Sequence, residues 1–370
     1  MRILAVNAGS SSVKLRLLDS DDSLLTAADL ALGDDENRSE DGIDPAALRR
    51  AIGGFEGVEA VGHRIVHGGI RFTDAVRLDP QVEEALQGLT ALAPLHQQKS
   101  LSAFGAVRSV LPRVPAVACF DTAFHSSMPD AAKTYAVPSE WRERLGVRRY
   151  GFHGLSHAYA SRRAAQMLDR ESVGLRVVTC HLGAGASLCA ILDGRSVDTT
   201  MGFTPLEGLV MATRSGMVDP GLVLWLQQHA AMSVAQLADD LEHRSGLKAL
   251  AGTPDMRQVL LDEARGEPEA MLAIEVYTHR LRAAVASMAA ALGGMDVLAF
   301  TGGVGQHAAS VREHAAIGLA FMGVELDDAL NNAVDGDADI SAGGAKVRTL
   351  VIEAREDLEI ARATRRVLGG

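Results

Sequence analysis

The sequence predicts an α/β fold made of two related domains, and three observations carry that prediction. Strand-like apolar runs alternate with helical patterns, as at residues 114–120, 177–180 and 296–301, each followed by a turn and a helical segment. The stretch VVTCHLGAGASLCAILD (177–193) aligns without a gap on ILAVNAGSSSVKLRLLD (3–19), so that Gly9 falls on Gly183, Leu18 on Leu192 and Asp19 on Asp193. A chain of 370 residues is also long enough for about two domains.

In chain order, the opening run reaches Asn7, passes through a Gly/Ser-rich turn and continues as a second alternating run, a β-turn-β piece. Residues 19–44 are acidic and short of large apolar side chains, so exposure is expected there. Around Tyr150 the segment RRYGFHGLSH leads into a helical stretch, and a domain boundary is expected near it. The second β-turn-β piece follows, with His181 standing where Asn7 stands in the first. Residues 271–292 form the longest apolar helix candidate. Glu275, His279, Arg280 and Arg282 within it favour a buried cytoplasmic helix over a membrane span. Residues 347–352 read as a strand and the remainder as a closing helix.

Composition narrows the class. Hydrophobic residues make up 47% and the mean hydropathy is +0.09, values of a soluble globular protein with an ample core. A net charge of −11 argues against nucleic acid as a main partner, although a local basic pocket could still take phosphate. Cys119, Cys180 and Cys189 lie in apolar strand-like runs without CxxC spacing, the pattern of reduced thiols in a cytoplasmic protein. The N-terminal apolar run is interrupted by Asn7, the serines and Lys14 before any signal-peptide cleavage pattern.

A glycine-rich turn exposes consecutive backbone N–H groups, which form a nest for phosphate oxygens. One such turn alone reads as an ordinary hairpin. A matched pair, each preceded by a polar residue and set in two halves facing a cleft, suggests a polyphosphate gripped from both ends.

These segments resemble the acetate and propionate kinase family, within the actin-like, sugar-kinase-like superfamily. The resemblance runs in order through VNAGSSSVK, VGHRIVHGG (61–69), APLH (93–96), CFDTAFH (119–125), RRYGFHGLSH (148–157), HLGAG (181–185), DTTMGFTPLEGLVMATRSG (198–216) and FTGGVGQ (300–306), ending in EDLEIA (356–361). It implies duplicated RNase H-like (actin-like ATPase) domains with an interdomain cleft. Residues 1–149, completed by 353–370, would form the N-terminal domain, and 150–352 the nucleotide-binding domain. The implied activity is reversible, Mg2+-dependent phosphoryl transfer from ATP to acetate, giving acetyl phosphate and ADP, in a cytoplasmic homodimer.

That chemistry makes definite demands. The acceptor carboxylate is already ionised at neutral pH, so no base is needed. Repulsion between it and the γ-phosphoryl group must be cancelled, and the two must be held in line. The arginine fork suits both oxyanions. Arg64 and Arg214 sit in glycine-flanked motifs; each taken singly would read as a surface ion-pair partner, and the resemblance assigns both to the substrate and the transferring group. Asp121 follows an apolar strand run, where open α/β sheets place ligands, and would otherwise cap the next helix. The resemblance makes it an active-site acid.

The resemblance likewise places Asn7 and Glu356 at magnesium-linked positions, with Glu353 and Asp357 as rival tail acids. His153 would donate to the transferring phosphoryl oxygens, with His157 and His96 in support. The i, i+4 spacing of His153 and His157 lacks the third ligand that zinc would need. Ser10, Ser12 and Lys14 line the first nest, and His181, Leu182, Gly183, Ala184 and Gly185 form the second. Asp255, Met256 and Arg257 match a nucleotide-contact segment, and Gly303, Val304, Gly305, Gln306 and His307 a later nucleotide loop. Val66, Leu95, Phe152 and Pro205 fall at the acceptor's apolar recess. An added methylene there changes affinity by only about 1–3 kcal/mol, so acetate and propionate are not separated.

The chain departs from the family pattern at Gln97-Gln98 (usually Asn-Pro), at Ala184 (usually Asn) and at Gln306-His307 (usually Glu-Asn). These changes allow an altered or non-ATP phosphoryl donor. A sugar-type kinase would use Asp121 as base, but the arginines and the small recess speak against it. A non-catalytic actin-like protein would leave Arg64, Asp121, His153 and Arg214 unexplained.

Overall fold

A computed structural model describes residues 1–9, 12–31, 44–90 and 94–369. The chain divides into two units. The first comprises Met1–Ser126, Phe152–Tyr159 and Arg355–Gly370; the second comprises Ser127–Gly151 and Ala160–Ala354.

The sheet of the first unit contains β1 (Ile3–Ala8), β2 (Ser12–Leu18), β3 (Leu24–Ala31), β4 (Ala60–Ile65), β5 (Val76–Arg77) and β6 (Ala116–Phe120), in the order β3-β2-β1-β4-β6-β5. The second unit contains β7 (Arg176–Leu182), β8 (Ala186–Leu192), β9 (Arg195–Thr199), β10 (Val297–Thr301), β11 (Ala338–Asp339) and β12 (Arg348–Val351). Their order, β9-β8-β7-β10-β12-β11 from the equivalent edge, repeats that of the first sheet. The pairings repeat as well. β1–β4–β6 and β7–β10–β12 are parallel, while the hairpin strands and the far edge strand run antiparallel. This is the duplicated RNase H-like α/β architecture.

Burial explains which strands the sequence signalled. β1 is apolar and buried on both faces, since helices cover both. Leu4, Val6, Val13 and Leu15 pack with Leu48 and Ile52 of the helix Pro45–Gly53 and with Ala103 and Val107 of Pro94–Val110. Ala5, Val117 and Cys119 pack instead with Ile360 of the closing helix Glu356–Leu368. Each Leu, Ile or Val among them contributes about 1.5–3 kcal/mol when fully buried. The acidic stretch is exposed where described, but its residues Leu24–Ala31 form an edge strand that composition did not announce.

The candidate helix at 271–292 spans Pro268–Ala291. Ala270, Ile274, Tyr277, Leu281, Val285 and Met288 recur at three- and four-residue spacing on its buried face. Glu275, His279 and Arg280 are exposed, so the helix is amphipathic rather than buried all round. Among the described residues no helix is long and apolar enough to cross a membrane.

The gapless repeat conceals one difference between the hairpins. Ala8 pairs with Val13, whereas Leu182 pairs with Ala186, one residue earlier in the repeat. Asn7 therefore faces Lys14 across its ladder, while His181 faces Ser187 rather than Leu188. The two turns are related but not equivalent.

Candidate active site

In the first unit, three parallel neighbours, β1, β4 and β6, carry Asn7 and Arg64 one residue before the ends of β1 and β4, and Asp121 directly after β6. The carboxyl ends of such strands are where α/β sheets bind ligands. Arg64 Nε donates to Asp121 Oδ1 at 2.9 Å and Nη2 to Asp121 Oδ2 at 2.5 Å, a two-pronged ion pair. Arg64 Nη1 donates to Asn7 Oδ1 at 3.1 Å, and Asn7 Nδ2 in turn donates to Glu356 Oε2. One connected network thus joins four residues spread over the whole sequence. Asp121 serves this network.

The Asp121 side chain is 1% exposed and that of Arg64 is 12% exposed. Burial raises the Asp121 carboxyl above its ordinary pKa and the charge of Glu356 adds to that, while Arg64 and the backbone N–H of His153 pull it down. For Arg64, burial works against the charge, but the carboxylates of Asp121 and Glu356 outweigh it and raise its pKa. Of the rival tail acids, Glu356 reaches Asn7. Asp357 is tied to Arg355 at 2.8 Å, and Glu353 belongs to the second unit.

The turn before the helix Gly154–Met167 is built against Asp121. Gly154 N–H donates to the Asp121 carbonyl at 2.9 Å, and a Cβ on residue 154 would lie 2.1 Å from that oxygen, so only glycine fits. His153 adopts a left-handed conformation (φ 57°) ahead of the helix, so His153 and His157 are not a pair on one helical face. Phe152 is buried, its ring 5.5 Å from that of His67, and Val66 is buried close by in sequence. His125 Nε2 donates to Phe152 O at 3.0 Å, and burial lowers the His125 pKa to about 4, favouring the neutral ring. His157 is fully buried, 5.7 Å from the His125 ring.

Gln97 exchanges hydrogen bonds with the backbone of His67: its Oε1 accepts His67 N–H at 3.0 Å, and its Nε2 donates to His67 O at 3.1 Å. The departure from Asn-Pro is therefore a fully engaged buried amide. Ser12 is half-buried and Lys14 exposed. Ser10 and the side chains of Leu95 and His96 lie outside the described residues.

In the second unit Arg214 is 9% exposed, and its Nη1 donates to Pro205 O at 2.7 Å. Among the described residues no carboxylate lies within ion-pairing distance of it. Burial lowers its pKa, with Glu242 opposing from further off. Its loop is stitched to the second hairpin, since Ala212 N–H donates to Ala184 O at 3.2 Å. Gly183 N–H closes the hairpin on Gly185 O at 2.9 Å, His181 and Leu182 end β7, and Ala184 is exposed. The short helix Gly302–His307 carries Gly303, Val304, Gly305, Gln306 and His307. The buried Arg312 fixes its far end through Gly305 O at 2.9 Å and Gln306 O at 2.7 Å. Asp255 caps the helix Met256–Ala264 and pairs with exposed Arg257 at 2.7 Å, while Met256 is core.

Gln97, His125, Tyr135, Glu207 and Arg312 complete these surroundings, and sequence reasoning gave none of them a site role. His125 and Glu207 lie inside quoted motifs, so a signal existed for those two.

The donor chemistry around Asn7 and Glu356 fits Mg2+, a hard cation that takes one or two protein oxygens and fills its shell with water and phosphate. Among the described residues no three His, Cys, Asp or Glu side chains converge on a common point.

Fold and site together define a duplicated RNase H-like α/β protein with arginine-centred polar clusters in both units. Comparison with known proteins makes this specific. The model of the Acetokinase family matches residues 48–362. Acetate kinase of Shouchella clausii is 39% identical over 391 residues, covering 99% of each chain. Among solved structures, Porphyromonas gingivalis acetate kinase superposes with a TM-score of 0.88 at 34% identity, and a Francisella tularensis propionate kinase with 0.90 at 34%, each covering 99% of both chains. The chain belongs to the acetokinase family.

Proposed function

We propose that the protein transfers the γ-phosphoryl group of ATP to acetate, reversibly, forming acetyl phosphate and ADP. The observation that carries this reading is Arg214, a buried guanidinium that no carboxylate neutralises among the described residues. Burying an uncompensated charge costs several kcal/mol, so a cation kept there calls for an anion from solution. Family membership supplies the anions: acetate kinases are the relatives of this chain.

In the reaction an acetate oxygen attacks Pγ as the bond from Pγ to the β-bridging oxygen breaks, and the electron pair leaves with ADP. No proton needs to move, so the work is positioning and charge neutralisation. Arg64, oriented by Asp121 and Asn7, and Arg214, anchored on Pro205 O, supply positive charge to acceptor and transferring group. His153 donates to the phosphoryl oxygens, supported by His157 and His96. Val66, Phe152, Leu95 and Pro205 bound the acceptor methyl. Ser10, Ser12 and Lys14 serve the phosphates, and residues 181–185, 255–257 and 303–307 the nucleotide. Asn7 and Glu356 would hold Mg2+, directly or through water, and the ion would offset charge on the nucleotide phosphates.

The family also contains propionate kinases, and the apolar recess leaves propionate as an alternative acceptor. The exposed Ala184 and the pair Gln306-His307 motivate a comparison of donors.

A hydroxylamine trap tests the proposal, with acetate or propionate as acceptor and ATP, GTP or pyrophosphate as donor, with and without Mg2+. Mg2+-dependent hydroxamate from ATP and acetate is expected. Product no greater than the enzyme-free blank with every donor would overturn it, and product from pyrophosphate alone would replace the donor.

A further inference from the structure

The loop between β9 and the helix Pro220–His229 carries both Pro205 and Arg214, and it has almost no regular structure of its own. Three side chains outside the residues assigned above hold it. The Tyr135 hydroxyl donates to Glu207 Oε2 and accepts the backbone N–H of Phe203 at 3.0 Å. Glu207 Oε1 pairs with Arg149 Nη2 at 2.7 Å. Arg149 Nη1 donates to Thr200 O at 3.1 Å and Met201 O at 3.0 Å. The loop backbone is thus gripped at 200, 201 and 203 and its side chain at 207.

Gly202 lies at the centre of this grip. A Cβ there would fall 1.8 Å from Glu207 Oε2 and 2.1 Å from the Tyr135 hydroxyl, so the cluster closes only over glycine. The Gly202 carbonyl accepts the N–H groups of Tyr150 at 3.0 Å and Gly151 at 3.3 Å, immediately ahead of Phe152 and His153 in the chain. At the other end of the same short segment, Pro205 O receives Arg214 Nη1. Burial, and then the acceptor Glu207, raise the phenol pKa, so Tyr135 remains a donor throughout the working pH range.

We propose that Tyr135 and Glu207 are positioning residues for phosphoryl transfer. Through the segment 200–205 they set the carbonyl that anchors Arg214 and the backbone at Gly151 that leads into Phe152 and His153. Arg214 needs such support because Pro205 O fixes its guanidinium and no carboxylate among the described residues does. A displacement of about 1 Å at a reacting group can cost on the order of 100-fold in rate, so a loosened loop is felt in turnover before it is felt in folding. The inference rests on the reading that Arg214 neutralises the reacting anions.

The test uses Tyr135→Phe and Glu207→Gln in the full chain, with acetate and ATP varied separately and thermal melting measured alongside. Tyr135→Phe removes one oxygen and leaves the Phe203 N–H without its acceptor. Glu207→Gln keeps the volume and serves if the first variant does not fold. The expected result is a fall in kcat/KM for acetate on the order of 10- to 100-fold, with KM for ATP within about twofold of the parent and melting close to it. Unchanged acetate kinetics in a folded variant would overturn the inference. So would an equal loss for acetate and ATP that tracks a lowered melting temperature, the mark of a merely structural cluster. A parent protein that makes no acyl phosphate would sink the functional reading instead, and the two failures are distinguishable.

Discussion

At the scale of single residues, the two arginines separate catalysis from stability. Arg64 is paired with a fully buried carboxylate, so Arg64→Ala strands Asp121 and should destabilise the first unit by about 3–5 kcal/mol as well as abolish turnover. Among the described residues Arg214 has no such partner to strand. Arg214→Ala should leave the urea midpoint unchanged or raised, while kcat falls by about 10²-fold or more. Denaturation curves and acyl phosphate assays on both variants check the contrast; comparable destabilisation by the two would refute it. The family motifs made these arginines legible, but not their different surroundings. Pairing with Asp121 depends on strand order, and the anchoring of Arg214 on Pro205 depends on how an irregular loop folds. Neither is written in local residue patterns.

At the scale of elements, three of the histidines buried in the first unit have lowered pKa values: His63 on β4, His67 just beyond it, and His125 in the short helix Ala123–Ser127. Burial lowers their pKa values to about 3, 4 and 4, against 6.5 for an unperturbed ring. Folded values lie below the unfolded value, so their contribution is complete above pH 6.5 and lost as pH falls from there towards 4 and 3. Melting temperature should hold level above that window and fall by several degrees or more by about pH 5. His63→Phe, which replaces a ring already set edge-on against Phe104, should flatten the decline. A melting temperature constant between neutrality and pH 5 would contradict this. Strands legible in the sequence were the buried ones, β1, β6, β7, β10 and β12, whose apolar runs follow from cover on both faces. The exposed edge β3 and the two-residue β5 and β11 carry no such pattern. The repeat itself was visible as a gapless alignment, yet the one-residue difference in pairing was not, because ladder register is a property of two strands together.

At the scale of the whole molecule, duplication was readable from two seventeen-residue segments, and the matching strand orders of both sheets bear it out. Residues such as Gln97 and Tyr135 escaped because their partners lie far away in sequence. Assembly is a further expectation at this scale. Met217, Leu222, Leu224 and Trp225 are exposed at and just before the helix Pro220–His229, apolar surface suited to a second copy. Sedimentation should give twice the 39.0 kDa chain mass, and Leu224→Glu with Trp225→Glu should shift it towards the monomer; a monomeric parent at micromolar concentration would rule out the dimer. Under the proposed function, Arg64 and Arg214 serve the same transfer step. A double-mutant cycle on acetyl phosphate formation, with Arg64→Lys, Arg214→Lys and the pair, tests it most directly. Groups that neutralise one shared transition state act as a unit, so the account predicts a combined loss well short of the product of the single losses. Fully multiplicative losses would contradict it.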